Sequence, residues 1–285
     1  MISRSGSQGA YLVNSSDATL TDTTPSANGS DGLRARSSLS LTATRVTGFS
    51  NGENTFDIYE GTGDVTVISS DFHLDQQASI DVYDFGVGAP ATGNVSVSVS
   101  VSDTTARFVD HLIDVDEVKS DVVLEDITVD NASDDAIELT QIEGDLVVER
   151  VDISQTNDEG LDVYNAGGVT IRDVTITEAQ GHGIDVQFVG GITTIERVTI
   201  DETSGDGIHL LNTGLVMIRD VQISNVDNDG LRFNDTGAIE LKVVNISDPN
   251  SNGIDVRNSS ASTISGSRSA VPTRQAFRST THGRP

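Results

Sequence analysis

The chain has 285 residues with no cysteine and no tryptophan, and 44 Asp and Glu stand against 17 Lys and Arg for a net charge of −27. This composition excludes disulfide staples and thiolate metal sites, and it excludes nucleic acid as a partner, because phosphate binding needs the opposite sign. No stretch reaches the roughly 18 consecutive apolar residues of a membrane-spanning helix, and residues 1–10 lack the apolar centre of a secretory signal.

Taken in order, the chain repeats. Slots at Gly9, Gly32, Thr55, Ser79, Leu112, Ala136, Gly160, Gly183, Gly207, Gly230 and Gly253 are separated by 23, 23, 24, 33, 24, 24, 23, 24, 23 and 23 residues. Each is followed by an apolar, outward, apolar triplet, from Ala10-Tyr11-Leu12 and Leu33-Arg34-Ala35 to Ile208-His209-Leu210 and Ile254-Asp255-Val256. A fixed period of this size is the signature of stacked repeats. A second alternating segment follows in every coil, such as Val169-Thr170-Ile171 with Val174-Thr175-Ile176, and Val216-Met217-Ile218 with Val221-Gln222-Ile223. Strict alternation of β-branched residues marks strands with one buried face, and no 3.6-residue pattern survives for two turns. The expected fold is all-β, a parallel β-helix of about eleven coils spanning residues 1–258. At about 4.8 Å per coil it makes a rod about 50 Å long. The slot glycines are read as marks of the bend at the coil corner.

One coil is enlarged by residues 86–102, which end in the alternation Val95-Ser96-Val97-Ser98-Val99-Ser100-Val101-Ser102 and are expected to bulge or lengthen one side. From residue 259 to 285 there is no acid and four Arg appear, so this stretch is expected to be a disordered basic tail. The period already runs at the N-terminus without a cap before it, so the chain is expected to be a segment of a longer polypeptide. Asp outnumbers Glu by 32 to 12, a bias that suits salty or calcium-rich extracellular surroundings where counter-ions screen repulsion.

Stacking turns repeated slots into columns. Asp126, Arg150, Asp173, Arg197 and Asp220 alternate in sign from coil to coil, as cross-strand charge pairs should. The outward slot of the triplet reads Glu138, Asp162, Asp185, then His209, Arg232 and Asp255, and the corner slot carries Asp135, Glu159, His182, Asp206 and Asp229. Three carboxylates on successive coils, about 5 to 10 Å apart without an interleaved cation, either hold a hard cation such as calcium, raise one another's pKa, or belong to a solvated acidic surface. Glu138, Asp162 and Asp185 are the candidate calcium ligands.

Over residues 9–256 the repeat resembles the right-handed parallel β-helix superfamily of pectate lyases, polygalacturonases, phage tailspikes and many bacterial surface proteins. Ser133-Asp134-Asp135-Ala136 and Gly181-His182-Gly183 are similar to the Asp-Asp and Gly-His-Gly of polygalacturonases, and Val109-Asp110-His111 is similar to a pectate-lyase signature. Here His182 falls two coils after Asp135, no Arg-x-Lys follows, and the repeat itself yields Gly205-Asp206-Gly207-Ile208 in the same frame. These departures leave two expectations. The first is a non-enzymatic module of a secreted or cell-surface protein, structural or binding, with calcium and a polysaccharide or surface glycan as its expected ligands. The second, implied by the resemblance, is a polysaccharide lyase or glycoside hydrolase acting through Asp134, Asp135, Asp162, His182, Asp185 and His209 on an outer face.

Overall fold

The computed structural model describes residues 2–15, 17–37, 40–84, 99–270 and 277–280. Every strand among them joins one sheet, their pairings are parallel, and there is no helix among the described residues. The first side of the coil runs in unbroken register through Ala10, Leu33, Phe56, Ile80, Ile113, Ile137, Leu161, Ile184, Ile208, Leu231 and Ile254. Each slot predicted from the period thus stacks on its counterpart. The second side stacks Leu41, Val65, Val99, Val122, Leu146, Val169, Thr193, Val216 and Ile239, and the third stacks Ile127, Val151, Val174 and Val198.

Alternation decides which residues fill the core. Thr193–Thr203 and Val216–Val226 share one burial pattern, position for position. From Leu33 to Val256 the buried inward Ile, Leu and Val are 0–5% exposed and form one continuous core, with Phe56 and Phe72 packed edge to face at 5.8 Å and the partly buried Leu12 and Leu20 of the first coil packed against it. This is the arrangement expected when β-branched residues repeat at fixed slots and nothing larger is needed to fill the interior.

The coil turns by single left-handed residues. Asp126, Arg150, Asp173, Arg197 and Asp220, the sign-alternating column, all have φ between 53° and 56°. Gln141, Asn165 and Phe188 form a second such column and Asn131, Gln155 and Glu178 a third. Bidentate bonds link Arg150 to Asp126 at 2.6 and 3.0 Å and Arg197 to Asp173 at 2.7 and 2.8 Å. The alternation is therefore used as two discrete pairs rather than as a continuous ladder.

Three expectations need correction. The slot glycines do not serve a left-handed bend: Gly207 has no positive φ, and a Cβ there would stand 2.6 Å from Ile223 Cγ2 and 2.7 Å from the Gly230 carbonyl oxygen. Close approach between coils is the reason for this glycine. In the enlarged coil the first side ends at Tyr83 and the second resumes at Val99, sixteen residues on, whereas Asp116 to Val122 takes six. Val99–Val109 is a regular strand, so the lengthening lies before it; residues 86–98 of the expected bulge fall outside the described residues. Finally, within the stretch expected to be a disordered tail, Ala261–Ser265, Arg268–Ala270 and Phe277–Thr280 are strands. They pair with Ala238–Ser247 and Ile254–Arg257, adding Phe277 and Arg278 as a rung beyond Ile254 and Asp255.

Three substitutions rank these contributions. Ile184→Ala, at a fully buried core slot, should cost about 2–5 kcal/mol. Gly207→Ala should cost about 1–3 kcal/mol through overpacking, and Arg197→Ala, on the exposed pair, less than about 1 kcal/mol. Thermal melting of the three variants should preserve that order.

Candidate functional site

The outward residue of each first-side triplet lies between two buried neighbours, so register alone brings these side chains into one column. From the N-terminal end it reads Arg34, Asp57, Asp81, Asp114, Glu138, Asp162, Asp185 and His209. Six successive rungs therefore carry a carboxylate, twice the run expected from Glu138, Asp162 and Asp185 alone. Asp57, Asp81 and Asp114 occupied the same slot in the sequence, but the 33-residue step between Ile80 and Ile113 interrupts the period there.

The two ends of the run are compensated. Arg34 pairs with Asp57, which is 1% exposed, and reaches Asp31 at 3.1 Å. At the other end Asp185, 6% exposed, accepts hydrogen bonds from Gln187 Nε2 at 2.8 Å and from His209 Nδ1 at 3.0 Å. Asn234 Nδ2 donates to His209 Nε2 at 3.1 Å, which places the imidazole proton on Nδ1. The middle of the run is strained electrostatically. Burial and the charges of Asp114 and Asp57 push Asp81 up to about 8. Asp114 rises to about 6 through burial and Glu138, and Asp162 to about 7 through burial and Asp185.

The corner column behaves differently because its acceptors are already used. Asp135 Oδ1 accepts the Glu159 amide at 2.6 Å, Asp206 Oδ1 the Asp229 amide at 2.8 Å, and Asp229 Oδ1 the Asn252 amide at 2.7 Å. His182 Nδ1 accepts the Asp206 amide at 2.8 Å, doing in its coil what the aspartates do in theirs. A neutral His182 then keeps its proton on Nε2, so neither nitrogen is free to act as a base or to bind a metal. At the Asp135–Glu159 corner both carboxyls are pushed well above their ordinary values. Burial and the neighbouring Asp158 and Asp135 carboxyls push Glu159 up to about 9, and Asp135 rises to about 6 through burial, restrained by the Glu159 amide.

Of the expected site residues, Asp162 and Asp185 thus stand together with Glu138 in the outward column. His182 and His209 lie side by side with ring centroids 5.1 Å apart, while Asp134 and Asp135 face a different histidine. That histidine, His111, entered the sequence reading only within Val109-Asp110-His111 and not as a member of the corner column. It occupies the corner slot one coil before Asp135, and the corner period was the signal that could have placed it.

A protein-family model described as "Right handed beta helix region" matches residues 110–217 and 182–271, more than half of the chain. No curated protein and no solved structure matches the chain.

The raised carboxyls set a direction for pH dependence. Their folded values, about 6 to 9, exceed the ordinary values of 3.8 for Asp and 4.5 for Glu, so the folded state binds protons more readily than the unfolded chain. The associated stability is complete below the ordinary values and is lost as pH rises through the folded ones. In chelator, the melting temperature should fall from pH 5 to pH 9, and Asp81→Asn and Asp162→Asn should each raise it at pH 8 and flatten the profile.

Proposed function

The chain belongs to the right-handed β-helix family, and from that premise we propose that it is a non-catalytic β-helix module of a secreted or cell-surface protein whose outward acidic column binds calcium. The carrying observation is the run from Asp57 to Asp185, with the middle carboxyls Asp81, Asp114 and Asp162 all raised by burial first and then by neighbouring carboxylates. Hard oxygen donors at the rung spacing suit calcium, which takes six to eight oxygen ligands at about 2.3–2.6 Å, including water. Calcium displaces the shared protons, so the repulsion that destabilises the bare column becomes the source of affinity. A rod steadied in this way would extend or present neighbouring parts of a longer protein, with surface glycan as a partner bridged through the same ions. An extracellular location, where calcium is plentiful, belongs to this proposal.

A second reading has its own observation. Asp162, raised to about 7 by burial and then by Asp185, stands between the carboxyl groups of Glu138 and Asp185 on adjoining rungs, and glycoside hydrolysis uses paired carboxyls of this kind as acid and base. Under this reading the module is a polysaccharide lyase or glycoside hydrolase.

Millimolar calcium should raise the melting temperature at pH 8 by several degrees, with a smaller rise at pH 5, where protons compete; Asp162→Asn and Glu138→Gln should shrink the shift. A midpoint that calcium leaves unchanged removes the calcium role. Turnover of any polysaccharide in a broad panel, lost in Asp162→Asn, would establish the enzymatic reading in its place.

A further inference from the structure

We infer that His111, Asp135 and Glu138 form a binding site for a divalent first-row transition metal of the zinc type, which joins the coil of His111 to the coil above it. The two histidines already paired in the column are unsuited to such an ion, because His182 Nδ1 accepts an amide and both nitrogens of His209 have partners. His111 is different. Its side chain is only 12% exposed, yet its contacts are long: Nε2 lies 3.4 Å from Glu138 Oε2 and 4.0 Å from Asp134 Oδ2, and Nδ1 lies 3.8 Å from Asp110 Oδ2. All exceed the 2.7–3.2 Å of a made N–H···O bond.

These distances suit an intervening ion. Metal–ligand bonds of about 2.1 Å at tetrahedral angles put two ligand atoms about 3.4 Å apart, which is the His111 to Glu138 separation. One ligand atom each from His111, Asp135 and Glu138 lies within 4.8 Å of the others. Asp135 Oδ1 accepts the Glu159 amide, and the Asp135 carboxyl also meets the Glu159 carboxyl, a contact with which the ion would compete.

The outer shell is also present. With Nε2 as the ligand, the remaining Nδ1–H of His111 is turned toward the Asp110 carboxylate, whose Oδ1 is held by the Ser133 hydroxyl at 2.8 Å. A carboxylate on that side of a ligating histidine, once drawn within bonding distance, fixes its tautomer and raises its basicity. Asp134, with half of its side chain exposed, stands at the open side and leaves room for water to complete the coordination.

Imidazole is not a calcium ligand, whereas zinc accepts nitrogen and carboxylate oxygen together. The site therefore differs in chemistry from the calcium column, although Glu138 borders both. Its position has a structural meaning: Ile113, two residues after His111, is the first rung after the 33-residue step, and the ion would fasten that rung's coil to its successor.

The test uses the full chain, stripped with chelator, dialysed, and titrated with Co²⁺ as a spectroscopic stand-in for Zn²⁺. One equivalent should bind with the visible d–d absorption of a nitrogen- and oxygen-ligated low-coordinate ion, and one equivalent of Zn²⁺ should displace it. His111→Ala and Glu138→Gln should each weaken binding by about 10-fold or more, and His182→Ala should leave it unchanged. Glu138→Gln decides the matter if His111→Ala loses its strand circular dichroism. Absence of saturable Co²⁺ binding overturns the inference, as does binding that His182→Ala removes and His111→Ala retains. Calcium-dependent melting should persist in His111→Ala, so failure here leaves the calcium reading standing, and failure of that reading leaves this one.

Discussion

In-register parallel stacking is the constraint on which this molecule depends. Because every first-side rung pairs residue for residue with the next, from Ala10 through Ile254, whatever occupies a slot meets its own equivalent about 4.8 Å away. For inward slots this is favourable without further provision, since Val163, Val186 and Leu210 gain from like neighbours. For polar slots it is a problem that each column must solve. The exposed left-handed column solves it by alternating sign, as in Asp173 with Arg197, and the corner column at Asp135, His182, Asp206 and Asp229 by lending a side-chain acceptor to the amide of the next coil.

The same constraint explains the backbone. A coil of 23 or 24 residues must turn at the same places each time, and it does so with single residues near φ 55° whose side chains are not glycine. Left-handed φ is least costly for Asn and Asp, and Asn131, Asn165, Asp173, Asn212, Asp220, Asn225 and Asp235 follow that rule. Leu74, Phe108, Phe188 and Val243 do not. Their backbone is held by the hydrogen bonds of the coils on either side, which over-determine the turn whatever residue stands there.

Much of this was legible in the sequence, because a period fixes register and register fixes columns. The first-side slots, the inward triplets and the sign-alternating column all lie where counting places them. What counting missed has physical causes. The role of Gly207 depends on contacts with Ile223, sixteen residues on, and with the Gly230 carbonyl of the next coil, which no local turn preference reports. The corner histidine at 182 reads as a catalytic candidate in isolation and as an amide acceptor once Asp206 is seen above it. The strands at 261–265 and 277–280 lack the acidic, Gly-marked pattern of earlier coils, yet they pair because the preceding rung offers an open edge. His111 was noticed only as part of Val109-Asp110-His111, because the irregular 33-residue step before it masks its place in the corner period.

The outward column is where the stacking problem is left open, and that is an argument about function. The fold does not require acids in this slot: Tyr11, Arg34, His209 and Arg232 occupy it on other rungs. The chain also contains ready solutions, since Arg34 closes the run at Asp57 and His209 closes it at Asp185. Between those closures Asp81, Asp114, Glu138 and Asp162 follow one another with no cationic slot partner, and burial raises the cost of charge at Asp81, Asp114 and Asp162. A structure that compensates its exposed charges in pairs but stacks like charges where water is scarce favours whatever can enter and neutralise them. At low pH that is the proton, which the raised carboxyls bind more readily in the fold than in the unfolded chain; near neutrality the calcium proposed for the column would take its place, and the stability of the rod would then report the composition of the surrounding solution.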